Sequence, residues 1–165
     1  MARAALEQLE LDEVVFIPTG PTRYRKPASA SGEQRVAMLR LALQGHPQFS
    51  VDERELRPGA SGYTVDTLSA LRSELKGAEL HLLMGADQYE KLDTWHRPDE
   101  VKRLAKLAVF GRPGIRLKEN VQLVPMNPMP ISASEIRARA RAGQDLGGLV
   151  APAVANYIRE HRLYS

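Results

Sequence analysis

The stretch Ile131-Ser132-Ala133-Ser134-Glu135-Ile136-Arg137 carries the sharpest local chemistry in the chain. Ser132, with Glu135 three positions later, has the form of a capping box, so a helix opens here. The start of a helix presents free N–H groups and the positive end of its dipole, which together attract an anion. Arg137 lies about one turn inside, close enough to fold its guanidinium back toward a phosphate held at that terminus. The plainer reading is an ordinary capped surface helix, and the spacing alone does not separate the two.

Other residues have chemistry available by position. Asp87 follows an apolar run and Gly85, which places a carboxylate at the carboxyl end of a strand, where ligands bind in open parallel sheets. Its plain alternative is the N-cap of the next helix. Trp95, the only tryptophan, lies in the turn Thr94-Trp95-His96-Arg97-Pro98 and can stack on a planar ring or simply pack in the core. Arg112, before Pro113, can pair with a phosphate or stay solvated. Gly62-Tyr63-Thr64 puts a small residue, a ring and a hydroxyl at a helix start, suited to binding a carboxylate or amide, although Thr64 also serves as a plain N-cap. The basic cluster Arg23-Tyr24-Arg25-Lys26 is either a solvated loop or a draw for nucleotide phosphates.

These residues need elements to hold them, and the hydrophobic pattern supplies an alternating series. Helical spacing predicts a helix from Ala2 to Leu9, and Val14 to Ile17, closed by Pro18, has the pattern of a parallel strand buried on both faces. A loop to about Ser31 leads to a helix opened by Ser31 and Gln34 and closed by Gly45 and Pro47. Phe49 to Val51 is too short to assign firmly. A third helix starts near Thr64, with Val65, Leu68, Leu71 and Leu75 on one side. Leu80 to Met84 reads as a strand, followed by a short helix and another ending near Ala105. Strands at Leu107 to Phe110 and Val121 to Val124 follow, the first closed by the turn Gly111 to Gly114. Helices from Ala133 to Ala142 and Ala151 to His161 end the chain. Such alternation predicts an α/β fold with a doubly wound, Rossmann-like parallel sheet, in one domain of residues 1–165 with 133–165 as a small helical C-terminal part.

Composition narrows the function. The chain has 165 residues, 43% of them hydrophobic, and 23 basic against 20 acidic residues for a net charge of +3. That mild positive field suits small phosphorylated molecules and lacks the dense basic stripe of a nucleic-acid groove. With no cysteine there is no disulfide, thiolate metal site or thiol nucleophile. The four histidines, His46, His81, His96 and His161, include no pair at i, i+4, so no protein-held metal is expected. The apolar stretches are strand-sized, which argues against a membrane partner and for the cytoplasm. A homo-oligomer is compatible with the sequence.

Taken in order, the matching segments are Phe16-Ile17-Pro18, Asp52-Glu53-Arg54-Glu55-Leu56 leading to Gly62-Tyr63-Thr64-Val65-Asp66-Thr67-Leu68, Gly85-Ala86-Asp87, Thr94-Trp95-His96, Gly111-Arg112-Pro113-Gly114 and Ile131 to Arg137. With these the chain resembles the bacterial nicotinate mononucleotide adenylyltransferases of the nucleotidyltransferase superfamily. The resemblance implies transfer of AMP from ATP to nicotinate mononucleotide, giving deamido-NAD and pyrophosphate, with Mg2+ carried in by the ATP. It further implies that Tyr63, Thr64 and Trp95 hold the pyridine ring and its carboxylate, and that Asp87 and Arg112 frame the nucleotide sites. Ser132, Ser134 and Arg137 would hold ATP phosphates, with Ser132 and Arg137 assigned to catalysis.

Family members open with a strand and a Gly-x-Phe-x-Pro-x-His-x-Gly-His loop, and neither is found in these residues. The expectation is a fold whose first strand is missing, a piece on the order of 15 to 20 residues. Thr22-Arg23-Tyr24-Arg25 also departs from the Pro-Pro-His-Lys of many relatives. Two rivals stay open: a mononucleotide-binding module without catalysis, and a related adenylyltransferase acting on nicotinamide mononucleotide or phosphopantetheine. Tyr63-Thr64 and Trp95 argue against phosphopantetheine.

Overall fold

Parallel strands need crossover connections, and helix-spaced segments of this sequence supply those between Val14–Phe16 and Phe49–Val51 and between His81–Gly85 and Lys106–Gly111. The computed structural model describes residues 1–20, 28–111, 117, 121–126 and 131–164. They form two compact units, Met1–Asp12 with Ser61–Pro128, and Glu13–Ala60 with Met129–Ser165. The basic cluster Arg23 to Lys26 and the turn residues Arg112 to Gly114 lie outside the described residues.

The first unit is built on a three-stranded parallel sheet in the order β3 (His81–Gly85), β4 (Lys106–Gly111), β5 (Val121–Pro125). Leu82 pairs with Leu107, and Leu107 with Val121. Between β3 and β4 the chain crosses over through α4 (Ala86–Tyr89), a 3-10 turn at Leu92–Thr94 and α5 (Pro98–Leu104). As the middle strand, β4 is buried on both faces, and its side chains alternate between two cores. Leu107 and Val109 join Val65 and Leu68 of α3 (Thr64–Glu74), together with Met84, Leu92 and Val101. Ala108 and Phe110 join Val124 and Ala5 of α1 (Ala2–Gln8). Helices thus cover both faces of this sheet, as a doubly wound fold requires.

In the second unit, β1 (Val14–Phe16) pairs in parallel with β2 (Phe49–Val51), Val14 opposite Phe49. Phe16 meets Phe49 edge to face, with ring centroids 6.1 Å apart. The crossover is α2 (Gly32–Ala42), opened by a complete capping box in which the Ser31 hydroxyl accepts the Gln34 N–H and the Gln34 side chain accepts the Ser31 N–H. A separate core forms where Leu146, Leu163 and α7 (Pro152–Glu160), through Val154 and Ile158, meet Met38 and Leu41 of α2. Ile136 and Ala140 of α6 (Ala133–Arg141) pack on the same core.

Most elements fall where periodicity puts them. The segment left unassigned, Phe49 to Val51, is a strand. The strand expected at Leu80 to Met84 starts and ends one residue later, yet the Leu80 carbonyl still accepts the Lys106 N–H at 2.8 Å. The expectation that Val14 to Ile17 is buried on both faces is corrected. Successive strand residues face opposite ways, so Val14 is buried while Val15 remains 37% exposed. Among the described residues all ladders are parallel. No helix among them is long and apolar enough to cross a membrane.

Leu92 is 1% exposed and sits in the core shared by α3, α5 and β4. Leu92→Ala is expected to lower unfolding stability by about 2 to 5 kcal/mol, read as a shift of the urea midpoint with an unchanged slope.

Candidate active site

Two loops of the first unit carry the ring-bearing residues. The chain enters α3 through Gly62, buried and with φ of +70°, a left-handed conformation that side-chain-bearing residues rarely adopt. Tyr63 then occupies the N-cap in extended conformation without a side-chain cap bond, and Thr64 is the first helical residue. This corrects the plain reading of Thr64 as an N-cap. A residue already inside the helix cannot turn its hydroxyl onto the next amides as a cap does. The first N–H groups of α3 are therefore left without a capping side chain and with the positive dipole end beside them.

The loop is tied to its own helix. The Tyr63 N–H donates to the Ser61 hydroxyl at 3.1 Å, and that hydroxyl donates to Asp66 Oδ2 at 2.6 Å. Asp66 in turn lies 3.8 Å from Arg97 Nη1, which brings in the second loop. Arg97 has φ of +53°, sits at the N-cap of α5 before Pro98, and pairs also with Glu100. His96 stacks on Tyr63, with ring centroids 4.2 Å apart and planes inclined by 27°. Trp95 and Tyr63, both half-buried, pack against the core around Leu92 and Val65.

Asp87 stands where expected, just beyond β3. It lies in the first turn of α4 rather than at the N-cap, which is Gly85 and makes no side-chain cap bond, so the capping reading is corrected. Its carboxylate folds back over Gly85. A Cβ on Gly85 would come within 2.7 Å of Asp87 Oδ1, so the small residue leaves room for the acid. The Gln88 side-chain amide donates to Asp87 Oδ2 at 2.9 Å, and this bond holds the carboxyl below its ordinary range. Asp87 is exposed and so open to a ligand.

Ser132, Ser134 and Arg137 belong to the second unit and come together at the start of α6. Ser132 Oγ accepts the Glu135 N–H at 3.1 Å, as a cap should. The expected reciprocal half of the box is not formed. The Glu135 carboxylate is taken up by Arg139, one turn on, through bonds of 3.2 and 3.0 Å. Arg137 folds back along the helix as anticipated, and its Nη2 donates to Ser134 Oγ at 3.1 Å. Two hydroxyls and a guanidinium thus share one helix start. Arg112 lies outside the described residues.

Sequence reasoning singled out neither His96, Arg97 nor Arg35. His96 stood within the Thr94-Trp95-His96 match, and that position was the only signal the sequence offered. Arg35 of α2 is half-buried; its Nη2 donates to the Thr19 carbonyl at 2.7 Å, and its Nε is buried without a partner. No periodicity argument reveals such a group, because it sits on a helix among ordinary polar positions.

Comparison with known proteins places the chain in a family. Residues 1–139 match the family described as cytidylyltransferase-like. A probable nicotinate-nucleotide adenylyltransferase of Laribacter hongkongensis is 41% identical over 99% of this chain and 86% of its own length. The chain belongs to the nicotinate-nucleotide adenylyltransferase family. Probable adenylyltransferases of the same description from Bordetella avium, 37% identical, and Thermomicrobium roseum, 38% identical, are also covered over more than four-fifths of their lengths, 88% and 83%. A Plasmodium falciparum nicotinic acid mononucleotide adenylyltransferase complexed with NaAD superposes with a TM-score of 0.78 over 98% of this chain and 89% of its own, at 14% identity. The same protein complexed with APC gives 0.74. These superpositions show the nucleotidyltransferase fold, an α/β architecture with parallel sheets.

For this adenylyltransferase, the depressed Asp87 carboxyl has a definite pH consequence. A group whose pKa is lowered on folding stabilises the folded state above its unfolded value and loses that contribution as pH falls through the folded one. Asp87 is therefore expected to stay ionised at neutral pH, with its carboxyl resonance moving only below the ordinary value of 3.8. A midpoint above that value would show that the Gln88 bond is not kept in solution.

Proposed function

We propose that this chain transfers AMP from ATP to nicotinate mononucleotide, releasing pyrophosphate and giving deamido-NAD. The observation that carries this reading is the open start of α3 beside Tyr63 and Trp95, in a chain 41% identical to a probable nicotinate-nucleotide adenylyltransferase. A nicotinate ring is flat and anionic. An uncapped helix start supplies N–H donors for its carboxylate, and aromatic side chains supply faces for the ring. Amide and acid mononucleotides differ in this one group, so the helix dipole favours the acid.

In the reaction a phosphate oxygen of the mononucleotide attacks the α-phosphorus of ATP. The new P–O bond forms as the bond to the bridging oxygen breaks, and its electron pair leaves with pyrophosphate. No covalent enzyme intermediate is required, so the protein's work is to position two polyanions and neutralise charge. Ser132 and Ser134 at the start of α6 would donate to ATP phosphate oxygens, and Arg137 would offset charge building on the departing pyrophosphate. Asp87, ionised and exposed at the end of β3, would accept hydrogen bonds from a ribose hydroxyl, and Arg112 would add a cation to the nucleotide site. Among the described residues no group of three or more His, Cys, Asp or Glu side chains could hold a metal ion. The Mg2+ of the reaction is assigned to the ATP complex, as part of the substrate, on the family resemblance.

Pyrophosphate release from Mg-ATP and nicotinate mononucleotide tests the proposal directly. Release with nicotinamide mononucleotide or phosphopantetheine, but none with the acid, would replace it. Arg137→Ala is expected to lower kcat by about 10² to 10³. Trp95→Ala is expected to raise the KM for the mononucleotide by about tenfold, with a much smaller effect on kcat.

A further inference from the structure

We propose that His96 is a positioning residue for the mononucleotide: stacked on Tyr63, it sets that ring in place before the ligand arrives. The inference rests on the adenylyltransferase reading above and assigns a role to a side chain not yet given one.

The loop of His96 is held to α3 by more than one tie. Tyr63 caps α3, and Asp66 lies in the first turn of the same helix. Ser61 bridges them, accepting from the Tyr63 N–H and donating to Asp66. Asp66 also faces Arg97, the residue after His96, across 3.8 Å. The stack at 4.2 Å is then a second, independent tie between the same two loops. Arg97 keeps its left-handed backbone between that ion pair, its pairing with Glu100 and the fixed ring of Pro98. These ties aim the imidazole at Tyr63, and an inclination of 27° lets the two faces meet over much of their area.

His96 is the exposed member of the pair and Tyr63 the half-buried one. Covering one face of the tyrosine restricts the rotamers it samples in the free protein. A ligand that uses the Tyr63 ring then loses less side-chain freedom on binding, which is how pre-organisation raises affinity. Since the ring's plane carries this effect, another planar ring should replace the imidazole, and a methyl group should not. The effect should fall on the mononucleotide, because the ring pair adjoins the start of α3 and the residues assigned to ATP phosphates lie on α6.

The test is calorimetric binding of nicotinate mononucleotide, and separately of Mg-ATP, to the full chain, His96→Ala and His96→Phe. His96→Ala is expected to weaken mononucleotide binding by about three- to tenfold and to leave Mg-ATP binding unchanged. His96→Phe is expected to return mononucleotide affinity to that of the parent. Equal mononucleotide binding by parent and His96→Ala overturns the inference alone. So does a His96→Phe variant as weak as His96→Ala, which would transfer the effect to the imidazole nitrogens, and so does an equal loss of both ligands in His96→Ala. A parent chain that binds no nicotinate mononucleotide overturns the reading beneath the inference as well.

Discussion

The backbone ladder along β4 is the interaction on which the first unit depends. A middle parallel strand has both hydrogen-bonding edges occupied, so its peptide groups can be withdrawn from water without penalty. That permits Leu107, Ala108, Val109 and Phe110 to be buried in succession, with alternate residues feeding different cores. Each core recruits its own helices, α3 and α5 on one face and α1 on the other. The directions of those helices, and hence the loops at their starts, follow from the strand they cover.

Loops at helix starts inherit this order. Gly62 turns the chain into α3, and Asp66 on that helix ties back both to Ser61 and to Arg97. Two residues with positive φ, one glycine and one arginine, thus stand on either side of the same cluster. The arginine conformation is one that sidechain-bearing residues avoid, and it persists where two carboxylates and a proline determine it. In the second unit the corresponding economy is on α6, where Glu135 is drawn to Arg139 and Ser132 alone caps the helix.

Much of this was legible in the residues. Strand-sized apolar runs and 3.6-residue spacing placed β3, β4, β5, α2 and α3 to within a residue or two, because burial against a sheet demands those periods. The capping box at Ser31 was readable since both partners are local. The one at Ser132 was half readable: Glu135 had a competitor one turn on, and sequence spacing does not weigh two partners for one carboxylate. Thr64 was misplaced by one position for a similar reason, since any hydroxyl before a helical run resembles a cap. The stack of His96 on Tyr63 was invisible because it joins residues far apart in the chain through a loop whose path depends on Arg97. The exposure of Val15 was invisible too, as a short apolar run does not say which of its faces finds a partner.

The two units are interleaved along the chain, and this has a consequence for how the polypeptide is made. Each is assembled from two separate stretches, so neither is complete when its first stretch leaves the ribosome. In the second unit, Met38 of α2 meets the Tyr164 hydroxyl, 126 residues further along. During synthesis the face of α2 that carries Met38 and Leu41 must therefore wait for its partners while the whole three-stranded sheet of the first unit is translated. Vectorial folding favours the first unit, whose parts have all emerged earlier, and leaves the second as the stage at which a nascent chain is open to holding chaperones.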